Sequence, residues 1–150
     1  TEIQMADLLR EVRRRFDFCL LDAPAGLGRG FQLATCAADR CVVVTTADAS
    51  SLRDAQHTVM ELDRFPAGAL HLVVNRVRKK LLRQLHATID DAIDKAGLPL
   101  LGVVPEDDAL PLCMNRGVPI LLADGQSAAT AYRNIAKRLQ GERVPLLRIR

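Results

Sequence analysis

The chain has 150 residues, of which 49% are hydrophobic and 26% are charged, and its formal net charge is +3. This length and hydrophobic content fit one globular domain, residues 1–150, with a core of its own. The small net charge, the absence of Trp and the 3% aromatic content argue against specific nucleic-acid binding and against stacking platforms for single-stranded bases. No apolar segment approaches the roughly 20 residues that span a bilayer.

The pattern of apolar residues predicts alternating helices and strands along the whole chain. Predicted helices cover residues 2–14, 50–64, 81–96 with Gly97 as the C-terminal cap, 106–115 and 127–139. Predicted strands cover residues 16–21, 40–45, 68–75 and 98–105. These strands are continuous apolar runs, which is typical of a parallel sheet covered by helices on both faces. The sequence therefore predicts an α/β fold with a doubly wound, mainly parallel sheet.

Four cysteines are present, and their spacing indicates the compartment. Cys19, Cys36, Cys41 and Cys113 form neither a CxxC pair nor a Cys/His ligand pattern. Three of them lie in or beside apolar stretches, as small core residues do. This usage favours a reduced, cytoplasmic protein.

Polar residues follow each predicted strand, and ligands of open parallel sheets bind at that edge. They are Asp22, Thr45 and Thr46, Asn75 and Arg76, and Pro105 to Asp107. A carboxylate there suits Mg²⁺ or its water shell, an amide suits an adenine edge, and an arginine stacks on the ring face. Local roles are the alternatives for two of them, with Asp22 shaping the turn before Pro24 and Asn75 capping the next segment. Thr45 and Thr46 are expected to end their strand through local backbone bonds.

The basic run at residues 76–83, "RVRKKLLR", has two interpretations. A solvated entrance to the next helix is the ordinary one. Contact with an acidic partner or with anionic lipid is the other.

Five segments, in the same order along the chain, resemble the MinD/ParA group of P-loop ATPases in its MinD branch. They are "FDFCLLDAPAGLGRGFQLATCAADRCVVVTTADASSLRDA", "LVVNRVR", "PLLGVVPEDDAL", "NRGVPILL" and "AYRNIAKRLQGE". The resemblance covers nearly the whole chain. It implies a partial P-loop NTPase fold of the deviant Walker A class, with ATP and Mg²⁺ as the cofactors of the complete domain.

The resemblance also implies roles for particular residues. Asp22 would hold the magnesium through water, and the switch II turn after it, with Pro24, Ala25 and Gly26, would sense the γ-phosphate through backbone N–H groups. The implied adenine-binding residues are Asn75, Arg76, Pro105, Glu106 and Asp107. Arg53 and Asp54 correspond to a dimer and partner surface.

The sequence departs from the family in one large respect. The glycine-rich phosphate loop with its lysines does not occur, and no GxxxxGK[ST] is present. The helix at residues 2–14 resembles the one that precedes the switch II strand, so the chain is expected to be the C-terminal part of such a domain, inactive by itself. The family's phosphate-loop strand lies beside the Asp22 strand, and the edge exposed without it predicts a homodimer, a swapped oligomer or a rearranged sheet.

The resemblance implies an ATPase that places the bacterial division septum with partner proteins, in the cytoplasm and peripheral to the inner membrane. The final "VPLLRIR" holds at most the beginning of the family's membrane-binding helix, so membrane contact by this chain is not expected. Two alternatives stay open: a chromosome-partition or flagellar-number ATPase of the same class, and a nucleotide-independent docking module. The Asp-Ala-Pro-Ala-Gly turn and "VPEDDAL" favour the septum branch.

Overall fold

The structure, a computed structural model, describes residues 1–84, 88–122 and 127–147. The helices in these ranges are α1 (Glu2–Arg13), α2 (Arg29–Thr35), α3 (Ala49–Met60), α4 (Lys79–Gln84), α5 (Ile89–Ala96), α6 (Ala109–Asn115) and α7 (Ser127–Leu139), with a 3-10 turn at Ile120–Leu122. The strands are β1 (Cys41–Thr45), β2 (Leu70–Val77) and β3 (Leu100–Pro105). None of these helices is long and apolar enough to cross a membrane.

The three strands form a parallel sheet in the order β1-β2-β3. Successive β2 residues point to opposite faces, and each face has its own apolar cluster. Leu72 and Val74 pack with residues of α3 and α5, whereas Val73 packs with β3 and α7. The predicted α/β fold with helices on both faces of a parallel sheet is confirmed.

Local capping sets where the helices begin and end. Gly97 ends α5 in the left-handed conformation, with φ of 66°, as the sequence predicts. The predicted helix at 81–96 is divided: α4 ends at Gln84, residues 85–87 lie outside the described ranges, and a capping box between Thr88 and Asp91 starts α5. The helix α2 was not predicted, because its seven residues follow Gly28 without a side-chain cap.

The predicted strand at residues 16–21 is wrong. These residues belong to no strand of the described chain and include a bend at Asp17, and Phe16, Phe18 and Leu20 are 63%, 67% and 90% exposed. A strand requires a neighbour for its backbone N–H and C=O groups. No described strand lies beside this segment, and the free edge of β1 is separated from it by a cavity.

Close packing of β3 against α7 depends on a glycine. A Cβ at Gly102 would lie 2.4 Å from Ile135 Cγ1. Gly102→Ala therefore pushes either the Ile135 side chain or the whole of α7 away from β3. We expect the free energy of unfolding, measured by urea denaturation, to fall by about 1–3 kcal/mol.

The matched control for this prediction is Gly28→Ala, where an added Cβ meets nothing within 4 Å. Truncating Ile135 to Ala in the Gly102→Ala background removes the clash, so the two changes should cost less together than their sum. Equal stability of Gly102→Ala and the native chain would contradict this account.

Candidate functional site

A cavity of 1510 Å³ lies between β1 and residues 16–27, a segment without regular secondary structure. Its lining includes five residues of the predicted switch II region and two other predicted residues. These are Asp22, Ala23, Pro24, Ala25, Gly26, Asp54 and Asn75. The magnesium-binding candidate and the adenine-binding candidate therefore line the same cavity, which runs along the whole of β1. Arg76, Pro105, Glu106 and Asp107 are not among the described residues that line the cavity. Arg76 follows Asn75 directly in the chain, and its guanidinium pairs with Glu106.

The switch II turn is exposed, and its backbone is shaped by glycine. Gly26 has φ of 86°, a conformation that L side chains rarely adopt. Pro24 packs closely on the start of α2, since a Cβ at Gly30 would lie 2.5 Å from Pro24 Cγ. Glycines at these two positions thus let the turn fold against α2 while its N–H groups stay near the cavity.

Asp22 is exposed at the mouth of the cavity and offers carboxylate oxygens, the donors that Mg²⁺ prefers. Among the described residues, no group of three or more His, Cys, Asp or Glu side chains is placed to hold a metal ion. The donor set fits an ion that takes its other ligands from water and phosphate oxygens, which is how Mg²⁺ is usually bound beside nucleotides.

The end of β1 is tied to the start of α3 by a small polar network. The Thr46 hydroxyl donates to Asp48 Oδ2 at 2.5 Å and lies 2.8 Å from Ser51 Oγ, while Asp48 Oδ1 accepts from the Ser51 backbone N–H at 3.0 Å. That backbone bond, followed by the Thr46 and Ser51 hydroxyls, lowers the pKa of Asp48 to about 2. The Thr45 hydroxyl donates to the Thr46 carbonyl at 3.2 Å, which is the local backbone bond expected of these threonines, whereas the Thr46 hydroxyl bonds to side chains instead.

The turn at Asn75 and Arg76 interrupts the pairing of β2 with β3 between Val74 and Val77. Arg76 has φ of 53°, and among the described residues it is the one non-glycine residue with a positive φ. Asn75 Oδ1 accepts from the Arg76 backbone N–H at 2.9 Å, which leaves the side-chain NH₂ of the half-buried Asn75 available to a ligand. Strained conformations of this kind concentrate at functional sites.

Glu106 is bonded within the protein. Its backbone N–H donates to Val77 O at 3.1 Å, and its carboxylate pairs with Arg76 at 3.5 Å and accepts a hydrogen bond from Arg78 Nε.

Asp107 is likewise bonded within the protein. Its carboxylate accepts from the backbone N–H of Ala109, at 3.1 Å, and of Ala128, at 3.1 Å. The carboxylates of Glu106 and Asp107 are therefore both already bonded inside the protein.

Arg53 and Asp54 lie on α3, and both side chains are exposed. Asp54 lines the cavity, whereas Arg53 is not in the described lining. Their role at an interface stays a prediction.

The turn at Asn75 and Arg76 lies at the carboxyl end of β2, and the switch turn lines the cavity beside β1. Ligands of nucleotide-binding α/β domains bind at the carboxyl edge of such a sheet. The chain belongs to the MinD/ParA family of P-loop ATPases: a family model described as "Cellulose biosynthesis protein BcsQ" matches residues 2–139. Within that family it is similar to the septum site-determining protein MinD of Bacillus subtilis, with 37% identity over 145 residues that make up 95% of this chain and 54% of that protein.

Two solved structures are similar over most of the chain. A MinC:MinD cell division protein complex of Aquifex aeolicus matches with a TM-score of 0.91 and 30% identity, covering 99% of this chain and 62% of the other. The septum site-determining protein MinD complexed with Mg-ADP, from Pyrococcus horikoshii, matches with a TM-score of 0.78 and 25% identity, covering 93% and 56%. The chain spans about half the length of the curated relatives it matches.

Proposed function

We propose that the chain supplies the switch II turn and the adenine-binding edge of a MinD-like ATPase, which uses Mg-ATP and places the division septum together with partner proteins. The observation that carries this proposal is the meeting of Asp22 and Asn75 at one cavity. The strained turn at Arg76 and the similarity to MinD proteins support it.

Each group then has a defined task. Asp22 orients water molecules of the magnesium shell, and the switch II turn donates backbone N–H groups toward the γ-phosphate. Asn75 donates its NH₂ to the base, and Arg76 offers its guanidinium to the ring face. Magnesium, when bound with the nucleotide, neutralises charge on the phosphate oxygens.

The phosphate-binding lysines are not in this sequence. We assign them to a polypeptide segment that fills the cavity between β1 and residues 16–22. A strand placed there would pair with the free edge of β1 and with residues 16–21, which would then form the strand that their apolar pattern favours. The chain by itself is then inactive as an ATPase.

Nucleotide binding by the chain tests the proposal. Each charge-assisted hydrogen bond to the triphosphate contributes roughly 1.5–3 kcal/mol, and without the phosphate loop the dissociation constant for Mg-ATP is expected near the millimolar range. Asn75→Ala should weaken binding by about tenfold, because a good amide contact to a base contributes roughly 1–3 kcal/mol. Ligand-detected NMR titration measures affinities of this size.

Asn115→Ala is the matched control, since Asn115 is exposed at the end of α6 and has no place in the proposed site. If Asn75→Ala and Asn115→Ala both bind Mg-ATP as the native chain does, the adenine edge is not at Asn75 and the proposal fails.

The proposed partners follow from the relatives. In the Aquifex aeolicus complex, MinD is bound to MinC. We infer that α3, which carries Arg53 and Asp54, faces a second copy of the ATPase or a partner of this kind. Asp54 lines the same cavity as the switch turn, so an interface at α3 would respond when the nucleotide changes.

A second candidate, a role in cellulose biosynthesis, is favoured by the description of the matching family model. The identity of 37% to a MinD protein favours septum placement. Disrupting the gene separates the two functions: misplaced septa support the first, and normal septa with loss of cellulose support the second.

A further inference from the structure

The left-handed conformation of Arg76, with φ of 53°, is disfavoured for a residue that carries a Cβ. Such a conformation persists only where the surrounding structure holds it. The local bond from the Arg76 N–H to Asn75 Oδ1 closes the turn, but it lies at the surface, where water competes for both groups.

Glu106 is the more buried partner of this turn. Its side chain is 23% exposed, whereas those of Arg76 and Arg78 are 71% and 62% exposed. One carboxylate oxygen lies 3.5 Å from Arg76 Nη2, and the other accepts from Arg78 Nε. Because the Glu106 N–H also bonds to Val77 O, this residue holds the turn by its side chain and its backbone at once.

The charges around the turn make this carboxylate important. Cations follow one another closely here: Arg76, Arg78, Lys79, Lys80 and Arg83, all exposed. Glu106 is the carboxylate that pairs with two of them in the described structure. Without it, Arg76 and Arg78 would repel each other, and the turn would relax toward the extended backbone that β2 continues.

We propose that Glu106 is a positioning residue, which holds the turn at Asn75 and Arg76 so that the Asn75 amide faces a nucleobase. This inference rests on the proposed function and refines the adenine-flanking role expected of Glu106. Both of its oxygens are already engaged by arginines, and a carboxylate would repel a triphosphate, so its effect on a nucleotide passes through the turn.

The test compares Glu106→Gln with the matched control Asp108→Asn, whose carboxylate makes no capping bond to its helix. Hydrogen exchange at the residue 76 amide, followed by NMR, reports the closed turn without any nucleotide. We expect exchange about tenfold faster in Glu106→Gln, with the urea midpoint of the whole chain unchanged, and about tenfold weaker Mg-ATP binding, since apparent affinity falls with the competent fraction.

A rescue variant separates positioning from general loss of structure. Glycine adopts positive φ at no steric cost, so in the Arg76→Gly background Glu106→Gln should change exchange at residue 76 much less. Exchange that is the same in Glu106→Gln and the native chain overturns the inference. Faster exchange in Glu106→Gln, with no Mg-ATP binding by any form, supports the hold of Glu106 on the turn and overturns the proposed nucleotide function instead.

Discussion

Replacing Asp107 by alanine is expected to lower the free energy of unfolding by about 2–4 kcal/mol, because two helices lose a hydrogen-bond acceptor at their N-termini. One oxygen of this half-buried carboxylate accepts from Ala109 N in α6, and the other accepts from Ala128 N and Ser127 Oγ in α7, at 3.1, 3.1 and 3.4 Å. Removing the carboxylate leaves these donors without an acceptor. It also removes the link between Asp107 and Ala128, which are 21 residues apart in sequence. Urea denaturation followed by circular dichroism measures the loss.

Two further variants make this prediction specific. Asp107→Asn keeps one acceptor oxygen and should lose about half as much. Asp108→Ala changes the neighbouring exposed carboxylate, which makes no side-chain cap bond, and should stay within about 0.5 kcal/mol of the native chain. If Asp107→Ala and Asp108→Ala are equally stable, Asp107 does not join the two helices in solution.

Parts of the fold that depend on local pattern were predictable from the sequence. The runs that became β2 and β3 are continuous and apolar because helices cover both faces of the sheet at β2. The run that became β1 is also apolar, although Val42 and Val44 on one of its faces are exposed. Gly97 is followed by a strand and closes α5 with a left-handed residue, a local signal that needs no knowledge of distant contacts.

Residues 16–21 show the limit of such patterns. Their apolar run favours a strand, but a strand exists only when a neighbour takes its backbone hydrogen bonds. Whether that neighbour is present is a property of the sheet as a whole and not of the six residues. In the described structure, a cavity lies between β1 and this segment, so β1 is not its neighbour.

The candidate site was predictable as a set of positions but not as a set of contacts. The family resemblance placed Glu106 and Asp107 beside the base, and the structure shows how each carboxylate is already used. Glu106 is bound to arginines about 30 residues earlier in the chain, and Asp107 to the start of α7. Neither bond follows from spacing or residue type, since each joins elements that meet only in the folded sheet. Positive φ at Arg76 has no sequence signal either, because arginine rarely adopts it.

The isolated chain is expected to associate with itself through the uncovered side of β1. Val42 and Val44 lie on the same face of the sheet as Val73, and they are 37% and 59% exposed. The outer edge of β1 has no paired strand in the described residues. Phe18 and Leu20, across the cavity, are also exposed. A second copy that covers this surface removes apolar area from water and gives the edge hydrogen-bond partners, which is the usual outcome for an open apolar edge.

Sedimentation velocity over a range of concentrations measures this association, and Val44→Lys should weaken it by at least about tenfold, since an unpaired ammonium group at the interface is costly to desolvate. Met114→Lys is the control, because Met114 is 71% exposed on α6 and does not line the cavity. A native chain that stays monomeric at every concentration would contradict the prediction. A homodimer that is weakened by Val44→Lys but not by Met114→Lys would identify β1 as the surface that a further strand covers. The proposed function requires the phosphate-binding segment at this same place.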